Sequence, residues 1–105
     1  MALEITDSTF EKEVLQSTLP VLVDFTAAWC GPCRMVAPVV ESLSKKYDGR
    51  LKVCKLDVDN NQRTASKYSV MSMPTFMFFK DGEVVNTSVG ALPERALQDK
   101  IDAIL

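Results

Sequence analysis

Histidine is absent from the 105-residue sequence, and cysteine, glycine and proline are scarce, with 3, 4 and 5 copies. Without histidine, the chain cannot use Ser-His or Cys-His catalysis, a histidine-ligated metal or a histidine pH switch. An odd and small number of cysteines does not suit the disulfide framework of a small secreted domain. Any cysteine chemistry is therefore expected to be redox or metal chemistry.

Long apolar runs and clusters of basic residues are also missing. No segment approaches the roughly 20 apolar residues of a membrane-spanning helix. Residues 1–10 carry Glu4 and Asp7 and lack the apolar stretch of a signal peptide. The net charge is -2 without a Lys/Arg cluster, which disfavours binding to nucleic acid. We predict an intracellular, cytoplasmic protein that binds neither membrane nor nucleic acid.

Length and composition favour one folded domain. A chain of 105 residues is too short for two independent cores, and 47% hydrophobic with 25% charged residues is ordinary for a globular protein. We predict a single domain that spans residues 1–105.

The order of the predicted elements indicates an α/β fold. Strands are predicted over residues 3–5, 21–26, 51–58, 75–80 and 83–89. Helices are predicted to begin at a Ser8–Glu11 capping box, at Cys33, at Asp59 or Asn60, and at Pro93. Pro38 is expected to kink the second helix, and Asp81-Gly82 predicts a hairpin turn. The order βαβαβαββα predicts a central mixed sheet with helices on both faces.

The segment Cys30-Gly31-Pro32-Cys33 has the spacing of a reversible disulfide. Two cysteines at positions i and i+3 of a first helical turn can lie at the Cα separation of a disulfide, about 5.5 Å. The helix N-terminus favours the thiolate of the first cysteine, so Cys30 is the predicted nucleophile. Pro32 suits an early helical position because its missing N–H is not needed there.

Half of a structural zinc site is the alternative interpretation of this segment. Zinc takes four ligands in such sites. Cys54 is the only other thiol, and the chain has neither a histidine nor a second CxxC pair. The sequence therefore favours redox chemistry and predicts no metal.

Residues 25–34, FTAAWCGPCR, resemble the active-site signature of the thioredoxin family, and the resemblance covers essentially the whole chain. Further matching positions are Asp24, Pro38, Lys55, Met73-Pro74-Thr75, Gly82 and Gly90. At Thr26, where many bacterial members have a second tryptophan, the chain resembles the plant h-type and animal cytosolic members. Met71 and Met73 depart from the residues usual in the family, which bears on partner preference.

The resemblance implies a thioredoxin fold and a protein-disulfide reductase. Cys30 would form a mixed disulfide with the substrate, and Cys33 would then release it. The implied protein is a monomer without a bound cofactor, reduced by NADPH through thioredoxin reductase or by a ferredoxin-linked reductase, and its substrates are disulfide-containing proteins. Relatives that oxidise or isomerise disulfides usually carry histidine where Pro32 stands, which favours reduction. A redox-independent binding subunit is a further alternative.

Two charged residues are candidates for assisting the thiols. Asp24 lies in an apolar strand, where an ionised carboxylate is costly, so we expect it to titrate abnormally. The resemblance implies that Asp24 lies beneath Cys33 and assists its deprotonation, with Lys55 nearby. From the residues alone, an exposed Asp24 and a solvated Lys55 are also ordinary outcomes.

The resemblance further implies a substrate-binding surface. Its expected members are Trp29, Gly31, Pro32, Met73, Pro74 and Gly90. Trp29 would be partly exposed beside the active-site loop, and Pro74 would be cis and face Cys30. From the residues alone, a core tryptophan, a trans proline and a core methionine are equally ordinary. Cys54 is expected to be an inert buried thiol.

Overall fold

A five-stranded mixed sheet forms the centre of the computed structural model, which describes residues 1–105. Its strands are β1 (Leu3–Ile5), β2 (Val21–Thr26), β3 (Lys52–Asp57), β4 (Thr75–Lys80) and β5 (Glu83–Val89). The spatial order is β1-β3-β2-β4-β5. Strand β3 pairs in parallel with both β1 and β2, whereas β4 pairs antiparallel with both β2 and β5. The predicted mixed sheet is therefore confirmed.

Four helices cover the two faces of this sheet. They are α1 (Glu11–Leu15, a single π-type turn), α2 (Gly31–Lys46), α3 (Gln62–Lys67) and α4 (Glu94–Asp102). Residues of α1 and α3 share one apolar cluster with Val23 and Phe25, and residues of α2 and α4 share another with Leu22. Strand β2 is apolar on both faces because it packs against both clusters. No helix combines the length and apolar character needed to cross a membrane.

The start of the first helix differs from the prediction. The Thr6 amide donates to the Thr9 hydroxyl at 2.9 Å, and the Thr9 amide donates to the Thr6 carbonyl at 3.1 Å. The Ser8 hydroxyl lies 2.9 Å from that of Thr6 and makes no bond to the helix. The predicted Ser8–Glu11 capping box is wrong because Ser8 makes no bond to the helix, and the side chain that accepts a preceding amide here is the Thr9 hydroxyl.

Helix α3 is capped by a side chain that lies more than 50 residues earlier in the sequence. The Asp7 carboxylate accepts from the Thr64 amide at 2.9 Å, from the Thr64 hydroxyl at 2.6 Å and from the Arg63 amide at 3.3 Å. The Asp7 amide donates to Asn61 Oδ1 at 2.9 Å. The cap predicted at residues 59–60 is wrong because Asp7 satisfies the first amides of the helix.

The β4–β5 hairpin follows its predicted turn. Asp81 and Gly82 both have positive φ, 53° and 80°, and Lys80 pairs with Glu83 across the two-residue loop. A Cβ on Gly82 would lie 2.9 Å from the Leu15 carbonyl oxygen, so this turn also requires glycine for space.

We expect Asp7→Ala to reduce the free energy of unfolding by about 1 to 2 kcal/mol, the usual value of a lost helix cap. Asp7→Asn, which keeps one acceptor oxygen, should lose less. Hydrogen bonds from Thr64 hold the pKa of Asp7 below its ordinary value. Its stabilising contribution is therefore present above that ordinary value and is lost as the pH falls through the folded pKa. Urea unfolding between pH 2 and 7 measures both effects, and equal stability of all three proteins would contradict the cap.

Candidate active site

The two cysteines of the CxxC segment lie where β2 passes into α2. Cys30 is the N-cap of α2 in extended conformation, and the helix begins at Gly31. Cys30 and Cys33 form a disulfide with their Cα atoms 5.2 Å apart. The Cys33 amide donates to Cys30 Sγ over 3.2 Å, so the sulfur takes up one of the free donors at the helix N-terminus. Such a donor stabilises a thiolate at Cys30 once the disulfide is reduced.

The two sulfurs have different surroundings. Both cysteines are nearly buried, at 4% and 3% exposure. Cys30 Sγ lies 3.5 Å from the carbonyl oxygen of Met73. Cys33 instead lines a pocket that contains Asp24. Cys33 and a carboxyl group therefore face the same pocket, whereas Cys30 faces a backbone segment.

This pocket, with a volume of about 520 Å³, lies between α2 and one face of the sheet. Farther along α2, Val36, Val40 and Leu43 fill the space above the sheet with apolar side chains. In the first turns of the helix, small Cys33 and Ala37 face the strands. Small side chains leave room, and the pocket occupies it.

Asp24 is buried in this region of the sheet, at 1% exposure, and its Oδ1 has no hydrogen-bond partner. Burial raises the pKa of Asp24 from its ordinary value of 3.8 to about 7, and the positive charge of Lys55 opposes the rise. Lys55 pairs with Asp24 across β2 and β3 and is half-buried. The alternative of an exposed Asp24 is wrong. A carboxyl group with a pKa near neutrality can take up and release a proton under physiological conditions.

Trp29 lies on the surface beside the disulfide. It is 65% exposed, and its indole Nε1 donates to Asp59 Oδ2 at 2.8 Å. The alternative of a core tryptophan is therefore wrong. Pro32 is exposed and Gly31 half-buried in the adjacent loop. The indole is held in place by one polar contact while its face stays open.

Met73 borders the disulfide from another side, and the buried Pro74 and the half-buried Gly90 follow from it. The Met73–Pro74 peptide bond is cis, and the Met73 carbonyl is the one beside Cys30 Sγ. The Gly90 amide donates to the Pro74 carbonyl at 2.8 Å. Gly90 has a φ of 97°, and a Cβ there would meet nothing within 4 Å. The surface near Gly90 is therefore open.

Sequence reasoning missed two residues of this region. Asp59, which holds Trp29, follows β3, and its position could have been inferred because parallel strands β2 and β3 end at the same edge of the sheet. Arg34 donates from Nη1 to the Ala28 carbonyl at 2.8 Å, a contact for which the sequence carries no signal. Cys54 lies elsewhere, fully buried on β3, where burial raises the pKa of its thiol to about 12. Such a thiol stays protonated at neutral pH, which fits its expected inertness.

Known proteins resemble this chain over nearly its whole length. The family model Thioredoxin matches residues 1–103. The chain belongs to the thioredoxin family. It is 52% identical to Thioredoxin 1 of Synechococcus elongatus over 102 residues, 97% of this chain and 95% of the relative. It is also 52% identical to a thioredoxin of Pseudomonas aeruginosa (94% and 92% covered) and 46% identical to one of Porphyra purpurea (94% and 92%).

Membership in the thioredoxin family agrees with the fold and with the chemistry of the pair. The five-stranded mixed sheet is a thioredoxin fold. The chain is a protein-disulfide oxidoreductase that reduces disulfides with its Cys30/Cys33 dithiol. Thioredoxins act without a bound cofactor, and their partners are a reductase and disulfide-containing proteins. The subgroup resemblance drawn from Thr26 stays a prediction.

We expect Asp24→Asn to stabilise the fold at neutral pH and to slow disulfide exchange. Because the folded pKa of Asp24 lies above the unfolded one, the group's stabilising contribution is complete below about 3.8 and is lost as the pH rises through about 7. Each unit between the two values corresponds to about 1.4 kcal/mol, so the variant should gain up to about 4 kcal/mol at pH 8 and almost nothing at pH 4.

Urea unfolding from pH 4 to 8 measures this difference, with Asp48→Asn as the control. Asp48 is exposed, so its substitution should change stability little and without this pH dependence. A gain for Asp24→Asn that is the same at every pH would show that its cause is not the ionisation of Asp24.

Proposed function

We propose that the chain reduces protein disulfides in two exchange steps, with Cys30 attacking and Cys33 resolving. In the first step the Cys30 thiolate attacks one sulfur of the substrate disulfide. A bond forms between Cys30 and that sulfur, the substrate disulfide breaks, and the other substrate sulfur leaves as a thiolate that takes up a proton. The product is a mixed disulfide.

In the second step Cys33 releases the substrate. The Cys33 thiol loses its proton to Asp24, and its thiolate attacks Cys30 Sγ. The Cys30–Cys33 disulfide forms, the mixed disulfide breaks, and the second substrate sulfur leaves as a thiolate that takes up a proton. The substrate gains two electrons and two protons, and the dithiol is oxidised. Lys55 is the register partner of Asp24 on the neighbouring strand. Its positive charge offsets the negative charge of Asp24 before Asp24 accepts the proton.

One observation supports this order of attack above the others. Cys33 shares a pocket with Asp24. Cys30 Sγ instead accepts a hydrogen bond from the Cys33 amide and lies beside the Met73 carbonyl. The cysteine that accepts a helix donor needs no base, because its thiolate is already stabilised. The cysteine without that help has a carboxylate beside it.

We expect Cys33→Ser to capture substrate proteins as stable mixed disulfides on Cys30, since the resolving thiol is missing. Cys30→Ser should capture none. Non-reducing electrophoresis after incubation with an oxidised protein substrate measures the adducts, and a reductant should dissolve them. Adducts formed through Cys33 in Cys30→Ser would reverse the two roles. The absence of adducts from both variants would instead favour a redox-independent binding role.

We further infer that substrates dock as an extended segment over the surface formed by Trp29, Gly31-Pro32, Met73 and Gly90, with the buried Pro74 joining Met73 to Gly90. An exposed indole and a flexible methionine pack against many different side chains. Backbone groups at the edge of this surface can pair with an extended chain without reading its side chains. This arrangement supports a broad range of protein substrates.

We expect Gly90→Asp to raise the KM for protein disulfides and to leave a small aromatic disulfide almost unaffected. The φ of 97° at Gly90 strains any other residue, so Gly90→Asn is the matched control, with nearly the same size and strain but no charge. An increase in the protein-substrate KM that both variants share measures steric obstruction. Any further increase in KM in Gly90→Asp measures the effect of the charge. Equal losses on the small disulfide would indicate damaged chemistry, and unchanged KM values would move docking elsewhere.

Electrons would come from NADPH through thioredoxin reductase, with a ferredoxin-linked reductase as the alternative donor. We also propose that the protein acts in the cytoplasm, as a monomer with a single domain over residues 1–105. The monomer is supported by the site itself, because one chain supplies Cys30, Cys33, Asp24 and Lys55. Reduction of a protein disulfide in assays that contain one reductase system or the other distinguishes the two electron sources.

A further inference from the structure

Three charged residues form a row across the strands beneath α2. Glu4 on β1 pairs with Lys55 on β3, and Lys55 pairs with Asp24 on β2. Register partners on parallel strands point to the same face of the sheet. Strands lie about 4.8 Å apart, so the Cα atoms of Glu4 and Asp24 are about 10 Å apart with Lys55 between them.

All three residues line the pocket beside Cys33. Lys55 makes no ion pair within 4.0 Å, and Asp24 Oδ1 has no partner. The ammonium of Lys55 is therefore not committed to either carboxylate. Its position between the two strands lets it approach one or the other.

The remaining charged groups of the pocket are held by other contacts. The Asp57 carboxylate accepts from the Asp59 amide and from Asn60 Nδ2, and Arg34 donates to a backbone carbonyl. On the opposite side of Asp24, β4 presents the apolar ring of Phe76. The exposed Glu4 side chain makes no hydrogen bond or ion pair and is the carboxylate at the solvent side of the row.

We propose that Glu4 is a positioning residue for the resolving step, because its carboxylate competes with that of Asp24 for the Lys55 ammonium and so limits the positive charge that Asp24 experiences. The inference rests on the proposed role of Asp24 as proton acceptor for Cys33. With Glu4 present, Asp24 keeps more affinity for the proton that it must accept.

The direction of the effect follows from the charges. Without the Glu4 charge, Lys55 is free to approach Asp24, which favours the ionised carboxylate and lowers its pKa. Without Lys55, the Asp24 carboxylate loses its nearest cation and its pKa rises. In that case Glu4 should change the Asp24 pKa only slightly, through direct repulsion between the two carboxylates over about 10 Å.

The decisive measurement is the titration of the Asp24 carboxyl carbon by NMR in the oxidised protein. In that state neither Cys30 nor Cys33 titrates, so Asp24 is not coupled to a thiol. We expect Glu4→Gln to lower the Asp24 pKa by about 0.5 unit, the size of a screened charge interaction at this range. The matched control is Glu83→Gln, an exposed edge-strand carboxylate at the opposite end of the sheet, which should cause no shift.

A second pair of proteins tests whether Lys55 carries the effect. In a Lys55→Gln background, Glu4→Gln should shift the Asp24 pKa by less than half as much as in the parent protein. The same shift in both backgrounds would overturn the inference, since Glu4 would then act directly. No shift in the parent protein, or an equal shift caused by Glu83→Gln, would overturn it as well.

The pH profile of mixed-disulfide resolution separates this inference from the proposed function. If both hold, Glu4→Gln moves the acidic limb of that profile to lower pH by the same amount as the Asp24 titration. If the titration moves and the profile does not, Glu4 tunes Asp24 as inferred, and the role of Asp24 as proton acceptor is contradicted.

Discussion

One costly placement dominates the electrostatics of the site, because a carboxyl group lies in the interior of the central strand. Strand β2 is buried on both faces, and Asp24 is the only charged residue within it. Desolvation makes the ionised form unfavourable there, which is why its proton affinity approaches neutrality. The surrounding features are arranged around this group. Small Cys33 and Ala37 leave a pocket above it, and Lys55 stands on the next strand. Stability is given up at this point of the sheet, and the proposed proton transfer from Cys33 gives the placement a function.

The N-terminus of α2 gives its two cysteines different surroundings within one helical turn. Cys30 receives the helix amide, and Cys33, three residues later, turns toward the sheet and its carboxylate. The spacing that allows a disulfide thus also places the two sulfurs in different environments. Pro32 fits between them because an N–H at the second helical position has no acceptor within the helix. A proline there costs no hydrogen bond. Neighbouring backbone, rather than further charged side chains, completes the surroundings of Cys30.

Local patterns predicted the strands, the hairpin and the thiol pair, because each depends on residues close in sequence. The apolar run around Asp24 indicated a strand buried on both faces, and Asp81-Gly82 indicated the turn of the β4–β5 hairpin. Contacts between distant segments were not predictable in this way. The cap of α3 comes from Asp7, more than 50 residues earlier, and it replaced a plausible local cap. The row from Glu4 to Asp24 requires strand register, which the sequence pattern does not contain.

The contact between Trp29 and Asp59 has a consequence for the entropy of complex formation. Asp59 belongs to the loop between β3 and α3, and that loop is anchored in turn by the Asp7 contacts to α3. The largest side chain at the proposed docking surface therefore has a fixed partner before any substrate arrives. A rigid receptor loses little conformational freedom on association, so most of the ordering falls on the incoming segment. Partners whose disulfide lies in a mobile stretch of chain must give up that mobility, whereas those with a preformed extended strand do not. Affinity among substrates of similar composition would then follow the stiffness of the substrate chain.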